Sequence, residues 1–259
     1  MNRSFFVQIC YELLPVSSSG HVEIARYFFN FDYSFVYDLL AHLPTAFIII
    51  LFFFIFMQDV CFSSLNSIKK FFLILFSIIF ITFFSALPSL YSFFLKAPFC
   101  SFTMPLWFGF LLTTIILFSF IPFSHSKNKE SIMVKDMFVM TMAQTFTAAI
   151  PGVSRFALTL YIGKLLGYSA RWNFFFTLLL NIGISCAGGC FCLLLYLIKG
   201  STVFGVFCWT YKDSFLLCMS MIVAFMQLVI VWELYRKNTL WVLAFYELII
   251  TIIAFYYGL

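Results

Sequence analysis

The sequence predicts an all-α integral membrane protein. The predicted architecture is an inverted repeat, in which each half has one re-entrant broken helix pair and three transmembrane helices. Of its 259 residues, 64% are hydrophobic and only 10% are charged, whereas soluble domains carry about a quarter charged residues. The bilayer is therefore the predicted solvent. The spacing of the apolar stretches and the presence of two polar breaks predict the repeat.

Six apolar stretches are predicted to cross the bilayer, because a spanning helix needs about 20 mainly apolar residues. They lie at residues 43–60, 71–94, 103–124, 172–198, 213–233 and 239–258. We expect each stretch to form one transmembrane helix.

Two further apolar regions, residues 5–31 and 137–167, are interrupted in the middle by Pro, Gly, Ser and charged residues. Each half of such a region is too short to cross the bilayer. Non-helical backbone at membrane depth is tolerated only where protein or a water-filled cavity satisfies its polar groups. Both regions are therefore predicted to be re-entrant helix pairs.

The order of these segments predicts one membrane domain, residues 1–259, made of two repeats. The first repeat covers about 1–124, a polar linker follows at 125–136, and the second repeat covers about 137–259. Each broken pair returns to the side from which it entered, and three spans is an odd number. The two halves are therefore expected to have opposite orientations, as in many transporter folds.

The distribution of Lys and Arg predicts how the protein is oriented, since cytoplasmic loops carry an excess of both. One predicted face has eight such residues, namely Lys69, Lys70, Lys127, Lys129, Lys135, Arg171, Arg236 and Lys237. The other face has four, namely Arg3, Lys96, Lys199 and Lys212. We expect the first face to be cytoplasmic. Both termini and the mouth of the first broken pair then lie outside, while the second pair enters from the cytoplasm.

Charge and cysteine content argue against several other classes of protein. The 15 Lys and Arg residues are scattered singly or in pairs, without the basic stripe of a nucleic-acid-binding surface, so no nucleic-acid partner is predicted. The eight Cys residues lack the CxxC pairs of structural zinc sites. Because Gln8 and Glu12 interrupt the first apolar stretch, we expect no cleavable signal peptide.

The first break has the sequence QICYELLPVSSSGH, from Gln8 to His21. Gln8 and Glu12 are four residues apart and would share one helix face. Pro15 ends that helix, and the serines at 17–19 can cap the next one, so that Glu12 and His21 come near one turn. Ionisable groups at membrane depth usually mark a functional path. The alternative is interhelical hydrogen bonding alone.

The second break has the sequence AAIPGVSRFALT, at residues 148–159. Pro151 stops a helix, Gly152 permits the turn, and Ser154 can cap the helix that carries Arg155 and, one turn on, Thr159. A helix N-terminus beside a guanidinium is suited to binding an anion, and phosphate oxygens match the planar fork of Arg. A salt bridge to the carboxylate of the first break is the alternative role of this arginine.

ELLPVSSSGH and PGVSRFALT resemble the two signature motifs of the undecaprenyl-diphosphate phosphatase family, (E/Q)xxxE followed by PxSSxGH, and PGxSRSxxT. AQTFTAAIPG and YDLLAHL are also similar, so the resemblance covers most of the chain. It implies a bacitracin-resistance type of enzyme in the bacterial plasma (inner) membrane. Such an enzyme hydrolyses undecaprenyl diphosphate to undecaprenyl phosphate and phosphate, and so recycles the lipid carrier of peptidoglycan synthesis. The resemblance further implies a divalent cation (Mg²⁺ or Ca²⁺), a site open to the outer face among membrane lipids, and a homodimer.

Matched to the motifs residue by residue, the resemblance assigns three sets of site residues. The catalytic set is Glu12, Ser18, His21 and Arg155; the substrate-binding set is Ser17, Gly152, Ser154, Arg155 and Thr159; the metal ligands are Gln8 and Glu12. The chain departs from the pattern at Phe156, where the family has Ser and which would narrow the phosphate site. Gln8 is uncharged, so it cannot act as a base. Glu247 is an unexplained carboxylate where relatives often have Arg.

Diphosphate hydrolysis requires neutralised oxyanions and a nucleophile with a proton acceptor. Arg155, two helix N-termini and a cation held by Glu12 would supply the first. His21 is the favoured residue for the second, and it would attack phosphorus or activate Ser18 or a water molecule; these alternatives stay open. The main rival function is a transporter or flippase for a lipid phosphate, because such folds also bind anions at broken helices. A purely structural membrane protein is a third possibility.

Overall fold

The computed structural model describes residues 3–30, 35–60, 104–121, 129–130, 133–148, 150–199 and 211–259. Within these ranges the structure is helical, apart from turns and one isolated bridge between residues 129 and 168. The α-helices there are α1 (Arg3–Glu12), α2 (Ser18–Phe29), α3 (Phe35–Phe56), α4 (Leu106–Phe118), α5 (Val134–Ala148), α6 (Arg155–Leu165), α7 (Ala170–Lys199), α8 (Tyr211–Arg236) and α9 (Leu243–Tyr256). The predicted span at 71–94 lies outside the described residues.

Helix α8 is long and apolar enough to cross a membrane. It has 26 residues and a mean hydropathy of 2.4, in agreement with the span predicted at 213–233. Helix α7 contains the span predicted at 172–198 within its 30 residues.

Three predicted spans differ in their limits from the helices that form. Helix α3 begins at Phe35, well before the predicted residue 43, and carries Pro44 in its interior. Helix α4 begins after Pro105, which has no N–H to donate, and has 13 residues. Helix α9 has 14 residues and follows a 3₁₀ turn at Leu240–Val242. The hydropathy of the sequence predicts where an apolar stretch lies, but it does not predict the residues at which these helices begin and end.

Both broken regions consist of two helices joined by a turn, as predicted. Helix α1 ends at Glu12, and Ser17 is the N-cap of α2. Helix α5 ends at Ala148, and Ser154 is the N-cap of α6. Gly152 in the second turn has φ of +86°, a conformation that glycine adopts without strain.

The two helices that follow the breaks extend toward opposite ends of α9. At one end, Tyr257 packs against Tyr27 and Phe28, near the end of α2. At the other end, Asn238 accepts a hydrogen bond from the Lys164 ammonium, near the end of α6 (3.1 Å). Helices α2 and α6 therefore leave their turns in roughly opposite directions.

A polar cluster joins the end of the linker to the loop between α6 and α7. Lys129 forms an ion pair with Asp136, and the Tyr168 hydroxyl donates to the same carboxylate (2.9 Å). Next to this loop, Arg171 lies 3.4 Å from Asp59, which follows α3. Lys129, which bonds to this loop, and Arg171, at the start of α7, thus lie near each other, and sequence assigned both to the cytoplasmic face.

The apolar packing holds α1 centrally. Helix α1 packs against α2, α3 and α8, while α3 packs against α7 and α4 packs along α9. Phe174 of α7 contacts Phe52 of α3 and both Trp232 and Tyr235 of α8. These helices position the two breaks toward each other.

Candidate active site

The two breaks meet at a small pocket lined by residues from both. The lining residues are Glu12, Val16, Ser17, Ser18, Ser19, Val153, Ser154, Arg155, Phe156 and Asn181. Five predicted site residues are therefore brought together, although residues 12–18 and 154–155 are far apart in sequence. Asn181, from α7, adds an amide that sequence analysis did not identify.

The Glu12 carboxylate is the centre of the polar contacts at this pocket. Its Oε2 atom accepts hydrogen bonds from Gln8 Nε2 (2.7 Å) and from the Ser18 hydroxyl (2.6 Å). Its Oε1 atom lies 3.3 Å from a guanidinium nitrogen of Arg155 and 3.4 Å from Nδ1 of His42. A hydroxyl that donates to a carboxylate at this distance is placed to lose its proton to it.

Arg155 takes part both in the pocket and in a salt bridge. The alternative role given by sequence analysis, pairing with Glu12, is formed in this structure. The Arg155 side chain nevertheless remains 28% exposed and lines the pocket. Its guanidinium can therefore bind a phosphate oxygen, whether or not its ion pair with the Glu12 carboxylate stays formed.

Each helix that follows a turn is capped by the serine just before its first residue, as predicted. The Ser17 hydroxyl accepts a hydrogen bond from the Gly20 N–H (3.3 Å). The Ser154 hydroxyl accepts one from the Ala157 N–H (3.2 Å). These bonds satisfy one of the four N–H groups that the start of each helix leaves without an intrahelical partner.

Four other N–H groups at these helix ends have no hydrogen-bond partner among the described residues. They belong to Ser18 and Ser19 of α2 and to Arg155 and Phe156 of α6. All four residues line the pocket. Free N–H groups at two helix N-termini, with the positive ends of both helix dipoles, form an environment suited to an anion.

His21 lies outside the lining of this pocket. Its Nδ1 is 2.6 Å from the Ser17 carbonyl oxygen, and its Nε2 is 2.8 Å from the Tyr246 hydroxyl. The ring stacks between Tyr11 and Tyr246, with centroids 4.4 and 5.6 Å away. His21 therefore lies beside the first turn, and its ring contacts α9 instead of lining the pocket.

Two other predicted site residues, Gly152 and Thr159, are not part of the pocket lining, and the ring of Phe156 packs elsewhere. Gly152 packs against Gly109 of α4 and supports the turn. Thr159 is fully buried, and its hydroxyl donates to the carbonyl four residues earlier (2.7 Å). The Phe156 ring is buried edge-on against Phe174 (5.8 Å). Phe156 therefore reaches the pocket mainly through its backbone.

Glu247 is completely buried in α9. Its carboxyl faces the backbone N–H of Ser17, but neither oxygen reaches hydrogen-bond geometry with a described residue. The carboxylate that sequence analysis left unexplained thus lies directly behind the first turn.

Sequence analysis gave no role to His42 or Tyr246. His42 offered a signal, since an ionisable residue within an apolar stretch is unusual. Tyr246 offered no local signal, because aromatic residues are common throughout this chain.

The predicted metal ligands, Gln8 and Glu12, lie side by side, 2.7 Å apart at their closest polar atoms. Gln8 is 3% exposed, and its amide oxygen has no hydrogen-bond partner among the described residues. Those residues contain no cluster of three or more His, Cys, Asp or Glu side chains that could hold a metal. Mg²⁺ commonly binds through one or two protein oxygens, with phosphate and water completing its shell. The Gln8 and Glu12 oxygens fit that limited role.

Comparison with known proteins gives one family. The family model described as bacitracin resistance protein BacA matches residues 6–253. An undecaprenyl-diphosphatase of Borrelia recurrentis (strain A1) is 32% identical in an alignment of 183 residues that covers 63% of this chain and 64% of that protein. One of Protochlamydia amoebophila (strain UWE25) is 29% identical in an alignment of 177 residues that covers 66% of this chain and 64% of that protein. The chain thus matches less than two thirds of the length of these curated relatives.

Proposed function

The chain belongs to the bacitracin resistance protein BacA family, and we propose that it hydrolyses undecaprenyl diphosphate to undecaprenyl phosphate and inorganic phosphate. The observation that carries this proposal is the Ser18 hydroxyl donating to the Glu12 carboxylate at 2.6 Å, beside Arg155 and two helix N-termini. The relatives named undecaprenyl-diphosphatase support the same activity. They do not favour the alternative of a transporter or flippase.

Substrate binding would rest on the positive groups around the pocket. A diphosphate brings several negative oxygens into a site with little water, where fixed donors act more strongly than in solution. The free N–H groups of Ser18, Ser19, Arg155 and Phe156 would bind these oxygens, and the Arg155 guanidinium would add charge. The isoprenoid tail would lie between helices in contact with membrane lipid.

We assign the nucleophile to Ser18 rather than to His21. Both ring nitrogens of His21 already have hydrogen-bond partners, and the ring does not line the pocket. Ser18 Oγ would bond to the terminal phosphorus while Glu12 takes its proton. The bond from that phosphorus to the bridging oxygen would break, so that undecaprenyl phosphate leaves.

Water would then release the phosphate from Ser18. Its oxygen would bond to phosphorus as the bond to Ser18 Oγ breaks. The proton held by Glu12 would return to Ser18 Oγ, and a water proton would pass to the phosphate or to solvent. Glu12 therefore acts as base and then as acid in one cycle.

A divalent cation bound by Glu12 and Gln8 would neutralise phosphate oxygens and thereby help the lipid phosphate to leave. Gln8 supports this role through its unpaired amide oxygen. Gln8 also helps to hold Ser18 next to Glu12. Its amide nitrogen Nε2 donates to Glu12 Oε2 (2.7 Å) and to Ser18 Oγ (3.2 Å).

We further propose that the chain crosses the bacterial inner membrane several times as an inverted repeat of re-entrant pairs, with the pocket open to the outer face. The opposite directions of α2 and α6 support the inversion. The closeness of Lys129 to the start of α7, which carries Arg171, supports a common cytoplasmic face. Homodimer formation stays a prediction.

Phosphate release from undecaprenyl diphosphate by the purified protein in detergent tests the activity. We expect Ser18→Ala to lower the rate by on the order of 100-fold or more. Ser220→Ala is the matched control, because Ser220 is also buried but its hydroxyl bonds only within α8, to Leu217 (2.9 Å). A protein that moves lipid phosphate between leaflets but releases no phosphate would contradict the proposal.

A further inference from the structure

Helix α4 approaches the second break at backbone distance. A Cβ atom placed on Gly109 would lie only 1.9 Å from the Pro151 carbonyl oxygen and 2.7 Å from Gly152 Cα. A Cβ atom on Gly152 would lie 2.6 Å from the Leu106 carbonyl oxygen. Because no side chain separates them, α4 determines where the backbone of the second turn can lie.

Thr113 lies one turn further along α4 and is fully buried. Its hydroxyl oxygen accepts a hydrogen bond from the backbone N–H of Ser154 (2.9 Å). The hydroxyl proton is within reach of the Gly152 carbonyl (3.2 Å) and of the Gly109 carbonyl in its own helix (3.1 Å). One side chain of the first half of the chain thus binds both sides of the turn in the second half.

This contact completes the start of α6. In a capping box, an acidic or amide side chain at the third helical position accepts the N–H of the capping residue. Here the third position is Ala157, which has no acceptor, and Thr113 accepts the Ser154 N–H instead. With the Ala157 N–H bonded to Ser154, only the Arg155 and Phe156 N–H groups stay free of described partners.

Resting on the proposed function, we propose that Thr113 is a positioning residue of the diphosphate site. It holds the N-terminus of α6 so that the N–H groups of Arg155 and Phe156, and the Arg155 guanidinium, face the phosphate. Thr113 itself does not touch the substrate. Without its hydroxyl, the Ser154 N–H becomes a buried donor without a partner, and the first turn of α6 shifts to satisfy it.

The neighbouring Thr114 provides a matched control. It is also buried, and its hydroxyl also donates to the carbonyl four residues earlier, that of Phe110 (2.9 Å). Its other hydroxyl neighbour is Thr251 (3.4 Å), and it makes no hydrogen bond to the second turn. A role in helix packing alone predicts similar effects for both threonines, whereas positioning predicts an effect for Thr113 alone.

The experiment compares wild type, Thr113→Val, Thr113→Ser and Thr114→Val, purified in detergent and matched for melting temperature and elution volume. Two quantities are measured: kcat and KM for undecaprenyl diphosphate, and the shift in melting temperature produced by methylenediphosphonate, a diphosphate analogue that is not hydrolysed. Since small displacements of catalytic groups cost up to about 100-fold, we expect Thr113→Val to lower kcat by roughly 10- to 100-fold. KM should change much less, and the stabilisation by methylenediphosphonate should weaken.

We expect Thr113→Ser to restore most of kcat, because serine keeps the hydroxyl, and Thr114→Val to behave as wild type. Retention of more than about a third of wild-type kcat and of the analogue stabilisation by Thr113→Val would overturn the positioning role. If wild type releases no phosphate, the proposed hydrolysis fails, and the analogue arm still decides whether Thr113 positions an anion site. If Thr113→Val does not fold, Thr113→Ala replaces it; failure of both to fold, with a folded Thr113→Ser, would assign Thr113 to folding and overturn the inference.

Discussion

Replacement of Arg155 by Lys is expected to separate catalysis from salt-bridge formation. The guanidinium lies 3.3 Å from Glu12 Oε1 and lines the pocket. Arg offers a planar fork to two phosphate oxygens, whereas Lys offers one compact, strongly hydrated charge. Loss of an electrostatic contact made mainly in the transition state costs about 3 to 4 kcal/mol. We therefore expect Arg155→Lys to release phosphate about 100 to 1,000 times more slowly than wild type.

The size of the rate loss in Arg155→Lys distinguishes a catalytic role of Arg155 from a role in the salt bridge alone. The Arg155 and Glu12 side chains are 28% and 13% exposed, respectively, so water weakens their attraction in the absence of substrate. Partly exposed pairs of this kind contribute up to about 1 kcal/mol. If Arg155 only paired with Glu12, Lys would keep most of the pairing, and the rate would fall by less than about 5-fold.

The assay is phosphate release by purified wild type and Arg155→Lys in detergent. Arg171→Lys is the control, because Arg171 also faces a carboxylate, that of Asp59 at 3.4 Å, but lies away from the pocket. The variants must match wild type in melting temperature and elution volume. An Arg155→Lys rate above about a third of wild type would refute the catalytic role, since the expected loss is at least about 100-fold.

Three other expectations follow from the structure and the sequence. A chelator should abolish activity, and added Mg²⁺ or Ca²⁺ should restore it. Full activity in the presence of the chelator would show that Glu12 is not a metal ligand. Gly109→Ala should abolish activity and lower the melting temperature, because its Cβ would lie 1.9 Å from the Pro151 carbonyl oxygen; a stable, active variant would disprove this contact. In a Cys-free background, a Cys at position 3 or 258 should be labelled from outside intact cells and one at 128 only after permeabilisation, and the reverse pattern would invert the proposed orientation.

Local sequence signals predicted the parts of the site that depend on neighbours in the chain. Pro15 and Pro151 indicated where helices stop, and both N-cap serines follow the rule for helix starts. The contact between Gln8 and Glu12 follows from their spacing of four residues. Such features need no knowledge of the rest of the fold.

Contacts between distant segments could not be predicted in this way. Tyr246 is 225 residues from its partner His21, and Thr113 is 41 residues from Ser154. Neither contact leaves a periodicity or a motif in the sequence. The surroundings of His21 show this limit, because Tyr11 and Ser17 are its neighbours in the chain whereas Tyr246 comes from α9.

The two breaks share a framework but carry different chemistry. A buried Gln precedes the Pro by seven residues in both, as Gln8 with Pro15 and Gln144 with Pro151. The first break places Glu12 at its turn, and the second places Arg155 there. Neither half therefore has both the carboxylate and the guanidinium. Because α2 and α6 leave in roughly opposite directions, their N-termini can approach one pocket from both sides, so a diphosphate held there would contact both halves at once.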